Sequence, residues 1–170
     1  LRANAVVVPV NPMNRAEELK HYITDPDARV AITTGDLAAE LAQASNALPS
    51  GQRLQHMVVT QFTDAFDPQA PDGDALPEAW SAWLLTRHPL PALEGGQVEA
   101  WTDALQHQGE APACEVGGGD MALLPYTSGT TGLPKGCVHI HSSIMHNAVS
   151  GSLWSSASAE AVVLGVVPMF

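Results

Sequence analysis

Eleven consecutive residues carry the most explicit chemistry in the chain: Tyr126-Thr-Ser-Gly-Thr-Thr-Gly-Leu-Pro-Lys-Gly136. Glycine lets backbone N–H groups come close to a ligand, and successive N–H groups form a concavity that binds anions. Thr127, Ser128, Thr130 and Thr131 can donate O–H bonds to phosphate oxygens. Lys135 adds a compact positive charge. It is the only lysine or arginine after Arg87, and a bound anion accounts for it better than solubility does. A loop with these parts suits a polyphosphate. The plainer reading is a turn in which Pro134 is ordinary turn chemistry. A Walker A loop is excluded, because it needs Gly-Lys followed by Ser or Thr, and Lys135 stands between Pro134 and Gly136.

Other chemistries are less well supported. No Gly-x-Ser-x-Gly elbow is present, which argues against a serine hydrolase. His139 and His141 share a face if 137–141 is a strand, but His146 lies five residues further on and fits no helical metal pair. Asp64, Asp67, Asp72 and Asp74 lie among prolines without periodicity and read as a solvated loop. Trp80 and Trp83 read as packing of a surface helix before they read as a stacking face. Cys114 and Cys137 show no metal or redox spacing, so free, buried thiols in a reducing cytosol are expected.

Strands and helices must position the loop. The apolar run Met121–Pro125 leads in, and Cys137–Ile140 leads out as a short strand. Ser142 is expected to cap a helix to about Ser155, with Met145, Ala148 and Leu153 inward. A last buried strand is expected over Ala161–Val167. Upstream, Ala5–Val10 reads as a strand covered on both faces. Asn14 and Glu17 resemble a capping box before a helix over Arg15–Thr24. Val30–Thr33 reads as a strand, Leu37, Leu41, Ala44 and Leu48 mark a helix, and Met57–Thr60 reads as a third strand. This β-α-β-α-β order over 1–60 implies a parallel sheet with right-handed crossovers. Residues 61–119 form an irregular, proline-rich insertion. One short helix is expected after Pro77, and another carries Val98, Trp101 and Leu105.

The chain has 170 residues, is 45% apolar and carries a net charge of −11. That supports one domain with a core and argues against nucleic acid or an anionic membrane as partner. No apolar run approaches the roughly 20 residues of a membrane span. The first residue is leucine and the last stretch is apolar, so a piece of a larger polypeptide is expected.

At all eleven positions the Tyr126–Gly136 stretch resembles the signature of the adenylate-forming, or AMP-binding, superfamily of acyl-CoA synthetases, luciferases and peptide-synthetase adenylation domains. Val138–Ser142 and Val166–Phe170 resemble later segments of the same family. Ala5–Met13, with Asn11-Pro12-Met13 and Glu17-Glu18-Leu19, looks like fatty-acyl-CoA ligases. The resemblance implies an α/β fold: a doubly wound, mostly parallel sheet with flanking helices, part of the large N-terminal domain. The 170 residues would be a single incomplete subdomain, with the loop inside 120–170. It further implies ATP-dependent activation of a carboxylic acid, with Mg²⁺, through an acyl-adenylate and then a thioester with CoA. Amino-acid or aryl-acid adenylation, or a non-catalytic nucleotide-binding relative, are the alternatives.

Carried over position by position, Thr127, Ser128, Gly129, Thr130, Thr131, Gly132 and Lys135 are the expected phosphate contacts, with Lys135 also catalytic. Pro134 and Gly136 shape the loop, and His141 lies nearby. No protein metal ligand is assigned. The resemblance places the protein in the cytoplasm, at most peripheral to a membrane. The 170 residues alone are expected to be inactive.

Overall fold

The computed structural model describes residues 3–64, 78–127 and 132–162. The chain divides into two compact units, Met13–Gly109 and Leu1–Pro12 with Glu110–Phe170. Together they give an α/β protein whose main sheet is parallel and flanked by helices.

The Met13–Gly109 unit is built on three parallel strands in the order β1 (Val30–Thr34), β2 (His56–Thr60), β3 (Gln97–Ala100). The central strand β2 alternates half-buried and buried residues, and Met57 and Val59 are sealed completely. Helices α1 (Ala16–Thr24) and α2 (Gly35–Asn46) pack on one another. Helix α1 buries Ala16, Leu19 and Ile23 at i, i+3, i+7, the apolar stripe that helical periodicity requires. Helix α2 buries small residues instead, Ala38, Ala42, Ala44 and Ser45, so its backbone lies close to its neighbours. The Ser45 hydroxyl accepts the Leu54 N–H at 3.0 Å, which satisfies a buried polar pair.

Several expectations shift by a residue or change partner. The α1 cap is Arg15, not Asn14, and the Arg15 N–H donates to Glu18 Oε2 at 2.9 Å. The Asn-x-x-Glu spacing was right, but one residue early. Ala5–Val10 does not join this sheet. Only Val7 pairs, as an isolated parallel bridge to Leu123 of its own unit. Its N–H donates to the Ala122 carbonyl at 3.0 Å, and its carbonyl accepts the Leu124 N–H at 2.9 Å. An apolar run signals burial but names no partner, and Pro9 removes a ladder donor. The third strand comes instead from Gln97–Ala100 inside the supposedly irregular region, followed at once by α4 (Trp101–Ala104). Val98 therefore sits on a strand, where helix had been expected.

Helix α3 (Glu78–Leu84) follows Pro77 as expected. Trp80 and Trp83 are largely exposed, and the Trp83 ring meets Phe62 with centroids 4.6 Å apart. The Gln61 side chain donates to the His88 carbonyl at 2.9 Å and accepts the His88 N–H at 3.1 Å, while Arg87 pairs with Asp64 at 3.3 Å. Asp67, Asp72 and Asp74 lie outside the described residues.

In the other unit, β4 (Met121–Leu123) pairs antiparallel with β7 (His139–Ile140), and β5 (Tyr126–Thr127) with β6 (Lys135–Gly136). Helix α5 (His141–Trp154) starts directly after β7. Its cap position is Ile140, not Ser142. Backbone carbonyls do the capping: His141 N–H donates to Asp120 O at 3.0 Å and Ser142 N–H to Gly118 O at 2.9 Å. Those bonds satisfy helix-end donors that otherwise lack partners. Met145 and Leu153 were expected inward, yet both are exposed among the described residues. Amphipathic spacing shows which face is apolar, not what covers it. Val163–Val167 of the expected last strand lies outside the described residues. Among those described, no helix is long and apolar enough to cross a membrane.

Candidate phosphate-binding hairpin

The glycine- and threonine-rich stretch is the loop of a β-hairpin. Its strands meet in the register Tyr126↔Gly136 and Thr127↔Lys135. In sequence, residues 128–134 join the two strands, more than the two to five residues of a tight hairpin turn; of these, 132–134 are described. Loops of that kind, on a paired base, commonly carry function.

Opposed residues in an antiparallel pair send their side chains to the same face, with Cβ atoms about 4.5–5.5 Å apart. Thr127 and Lys135 therefore share one face at the mouth of the loop. Cys137, two residues past Lys135, falls on that face too. Its sulfur lies 3.9 Å from Thr127 Oγ1 and 4.0 Å from the Lys135 carbonyl. The Cys137 N–H donates to the Pro125 carbonyl at 2.8 Å and extends the base by one more bond. A hydroxyl, an ammonium and a thiol thus line one side.

The opposite face is packing. A Cβ built on Gly136 would lie 3.0 Å from Leu124 Cδ1 and 3.3 Å from Tyr126 Cζ. A side chain at Gly136 would press on the Leu124 and Tyr126 side chains.

Lys135 is exposed. Among the described residues the cations in ion pairs are Lys20, Arg29, Arg53, Arg87 and two histidines, and Lys135 is not one of them. Among the described residues its charge is therefore not committed to a neighbouring carboxylate. Gly132 is exposed. Of the expected phosphate contacts, Thr127, Gly132 and Lys135 are described. Ser128, Gly129, Thr130 and Thr131 lie outside the described residues. His141 does not share a strand face with His139, since His139 ends its ladder pairing with Leu123 and His141 opens α5. Its Nε2 is buried without a hydrogen-bond partner among the described residues. Both cysteines are free as expected, but Cys114 is exposed and Cys137 only half-buried. Cys137 beside Thr127 and Lys135 is a placement that sequence reasoning missed, and the alternation Lys135–Cys137 was the signal for it.

Among the described residues no group of three or more His, Cys, Asp or Glu side chains is arranged to hold a metal ion.

The family described as AMP-binding enzyme matches residues 1–170. A long-chain-fatty-acid–CoA ligase of Salmonella typhimurium is 28% identical over 149 residues, 86% of this chain and 25% of that protein. A feruloyl-CoA synthase of an Amycolatopsis species is 28% identical over 169 residues, 99% of this chain and 25% of that protein. The chain spans about a quarter of the length of these curated relatives. A solved structure described as "Structure of McyG A-PCP complexed with phenylalanyl-adenylate" is similar at a TM-score of 0.36 and 17% identity, over 84% of this chain and 29% of that one.

Proposed function

The chain belongs to the AMP-binding enzyme family, and on that footing we propose that the protein containing it activates a carboxylic acid, a fatty acid first of all, through an acyl-adenylate and passes the acyl group to CoA. We place these residues in the large N-terminal domain of that enzyme.

A carboxylate is a poor acyl donor because its leaving group would be an oxide. In the proposed reaction a carboxylate oxygen attacks the α-phosphorus of ATP. The bond from that phosphorus to the α–β bridging oxygen breaks, and pyrophosphate leaves. The CoA sulfur then attacks the acyl carbon, the bond to the AMP oxygen breaks, and the thiol proton is given up. The part assigned to this chain is the grip on the β- and γ-phosphates. Thr127 and the loop hydroxyls and amides of Ser128, Gly129, Thr130, Thr131 and Gly132 donate to their oxygens, and Lys135 meets the charge that grows as pyrophosphate departs. Donors placed for that charge lower the barrier more than donors that fit the ground state alone. Mg²⁺ enters with the triphosphate as part of the substrate.

The observation that carries this reading is the Thr127↔Lys135 register. It sets a hydroxyl and an uncommitted ammonium side by side at the two feet of a glycine-rich loop. Gly136 supports it from behind. Gly136→Val forces Leu124 and Tyr126 aside, and the full polypeptide should lose roughly tenfold in kcat/KM for MgATP, as small misplacements of binding groups do. Steady-state ATP–pyrophosphate exchange measures it, and an unchanged value removes Gly136 from that role.

The acid remains to be fixed by experiment. A hydroxamate assay of the full polypeptide, run over aliphatic acids of increasing length and over aryl acids, should give its highest rate with a long aliphatic acid. The feruloyl-CoA synthase comparison, at the same identity and wider coverage, supports aryl acids as the second reading. Rates confined to aryl acids would replace the fatty acid and leave adenylation standing. No hydroxamate with any acid would favour a nucleotide-binding relative without catalysis.

A further inference from the structure

The parallel sheet is closed on one face and open on part of the other. Helix α2 packs on β1 and β2, and Met57 and Val59 of β2 are completely buried. Side chains alternate across a strand. Val30 and Ile32 of β1 therefore lie on the opposite face, with His56 and Val58 of β2, in the register Val30↔His56 and Ile32↔Val58. Towards β3 that face is taken up by polar contacts: Glu99 Oε1 lies 2.6 Å from His56 Nε2, and Glu99 Oε2 lies 2.8 Å from His107 Nε2. Towards β1 it is bare, with Val30 62% and Ile32 68% exposed.

Two features mark this surface as one not built for water. Parallel sheets are covered on both faces almost without exception. Strands that stay at an open edge are guarded by lysine, other charges or proline. Among the described residues β1 pairs with β2 alone, yet its sequence, Val-Ala-Ile-Thr-Thr, holds no charge and no proline.

We infer that the Val30–Ile32 face of β1 is a docking surface for an apolar face of the same polypeptide, from outside residues 1–170. The inference rests on the reading that these residues are part of a longer enzyme, and the chain spans about a quarter of the length of its curated relatives. A second copy is the poorer occupant. Val30, Ile32 and Val58 are three aliphatic side chains, far short of the roughly 800 Å² per partner that a stable dimer buries. A layer from the same chain needs no such area, because it does not lose the translational and rotational freedom that association costs.

The test is Ile32→photo-leucine in the full polypeptide, an aliphatic diazirine close to isoleucine in size. Photolysis followed by peptide mapping should give a crosslink within one chain to a peptide outside residues 1–170. A crosslink between two chains, or to a peptide inside residues 1–170, overturns the inference, and so does a carbene consumed by water. Hydroxyl-radical oxidation of the unaltered full polypeptide gives a second readout. Oxidation at Val30 and Ile32 should be lost to the level of buried Val59, and oxidation typical of open side chains overturns the covering layer. ATP–pyrophosphate exchange is measured on the same photo-leucine protein. Exchange without the crosslink removes the layer and leaves adenylation standing, and the crosslink without exchange does the reverse.

Discussion

Lys135→Met in the full polypeptide is expected to slow acyl-adenylate formation by roughly tenfold to a hundredfold. Removing one charge-assisted bond from a desolvated phosphate costs about 1.5–3 kcal/mol, and each ~1.4 kcal/mol is a factor of ten in rate. The effect should fall on kcat as well as on KM for MgATP, because the ammonium meets charge that grows in the transition state. Methionine keeps most of the side chain's length and apolar stem, so the hairpin should survive. Lys135 is exposed and bonds through its backbone to the strand opposite, so the unfolding midpoint should move little. Thr127→Val tests the same face from the other strand and should cost less, since a neutral hydroxyl is worth about 1 kcal/mol. A Lys135→Met enzyme with unaltered pyrophosphate exchange would remove the phosphate grip from this hairpin, and with it the main support for the proposed chemistry.

What could be read in advance follows the range of the interactions involved. Local periodicity and breakers located α1, α2 and α3 and the strands at Val30, Met57 and Met121 to within a residue or two. Those signals depend on neighbours three or four positions apart. Partners chosen over long sequence distances were not legible. Nothing in Ala5–Val10 says that Val7 will bridge to Leu123, and nothing in the proline-rich stretch says that Gln97–Ala100 will complete the parallel sheet. Competition between adjacent residues moved both caps: Glu18 chose Arg15 over Asn14, and carbonyls of Gly118 and Asp120 made a side-chain cap on α5 unnecessary. At the hairpin, the residue types named the chemistry, while the pairing of Thr127 with Lys135, and Cys137 beside them, needed the register.

Gly96→Ala is expected to be strongly destabilising, and more so than the same substitution at Gly95 or Gly51. A Cβ there would lie 2.7 Å from Leu93 Cδ2, 2.8 Å from the Gln55 carbonyl oxygen and 2.9 Å from the Leu54 carbonyl oxygen. Two of the three obstacles are backbone, and that backbone leads into the central strand β2. The turn before Gly96 cannot easily step back either. Asn46 holds it from α2, donating to the Ala92 carbonyl at 3.0 Å and accepting the Glu94 N–H at 2.8 Å, and Arg53 pairs with Glu94 at 2.7 Å. Overpacking of this kind costs about 3 kcal/mol, the upper end of its usual range. For a unit of this size each kcal/mol moves the melting midpoint by roughly 4–8 °C. Two neighbours in the same fold separate the causes. Gly95 has φ +75 and open space around its Cβ, so Gly95→Ala should cost only the roughly 1–2 kcal/mol of a left-handed backbone. Gly51 has neither constraint, and Gly51→Ala should stay within about 0.5 kcal/mol of the parent. Urea unfolding of the three variants in the full polypeptide measures the order. Gly96→Ala as stable as Gly51→Ala would mean that β3 does not lie against the Leu54–Gln55 backbone, and the third strand of the parallel sheet would have to be reassigned.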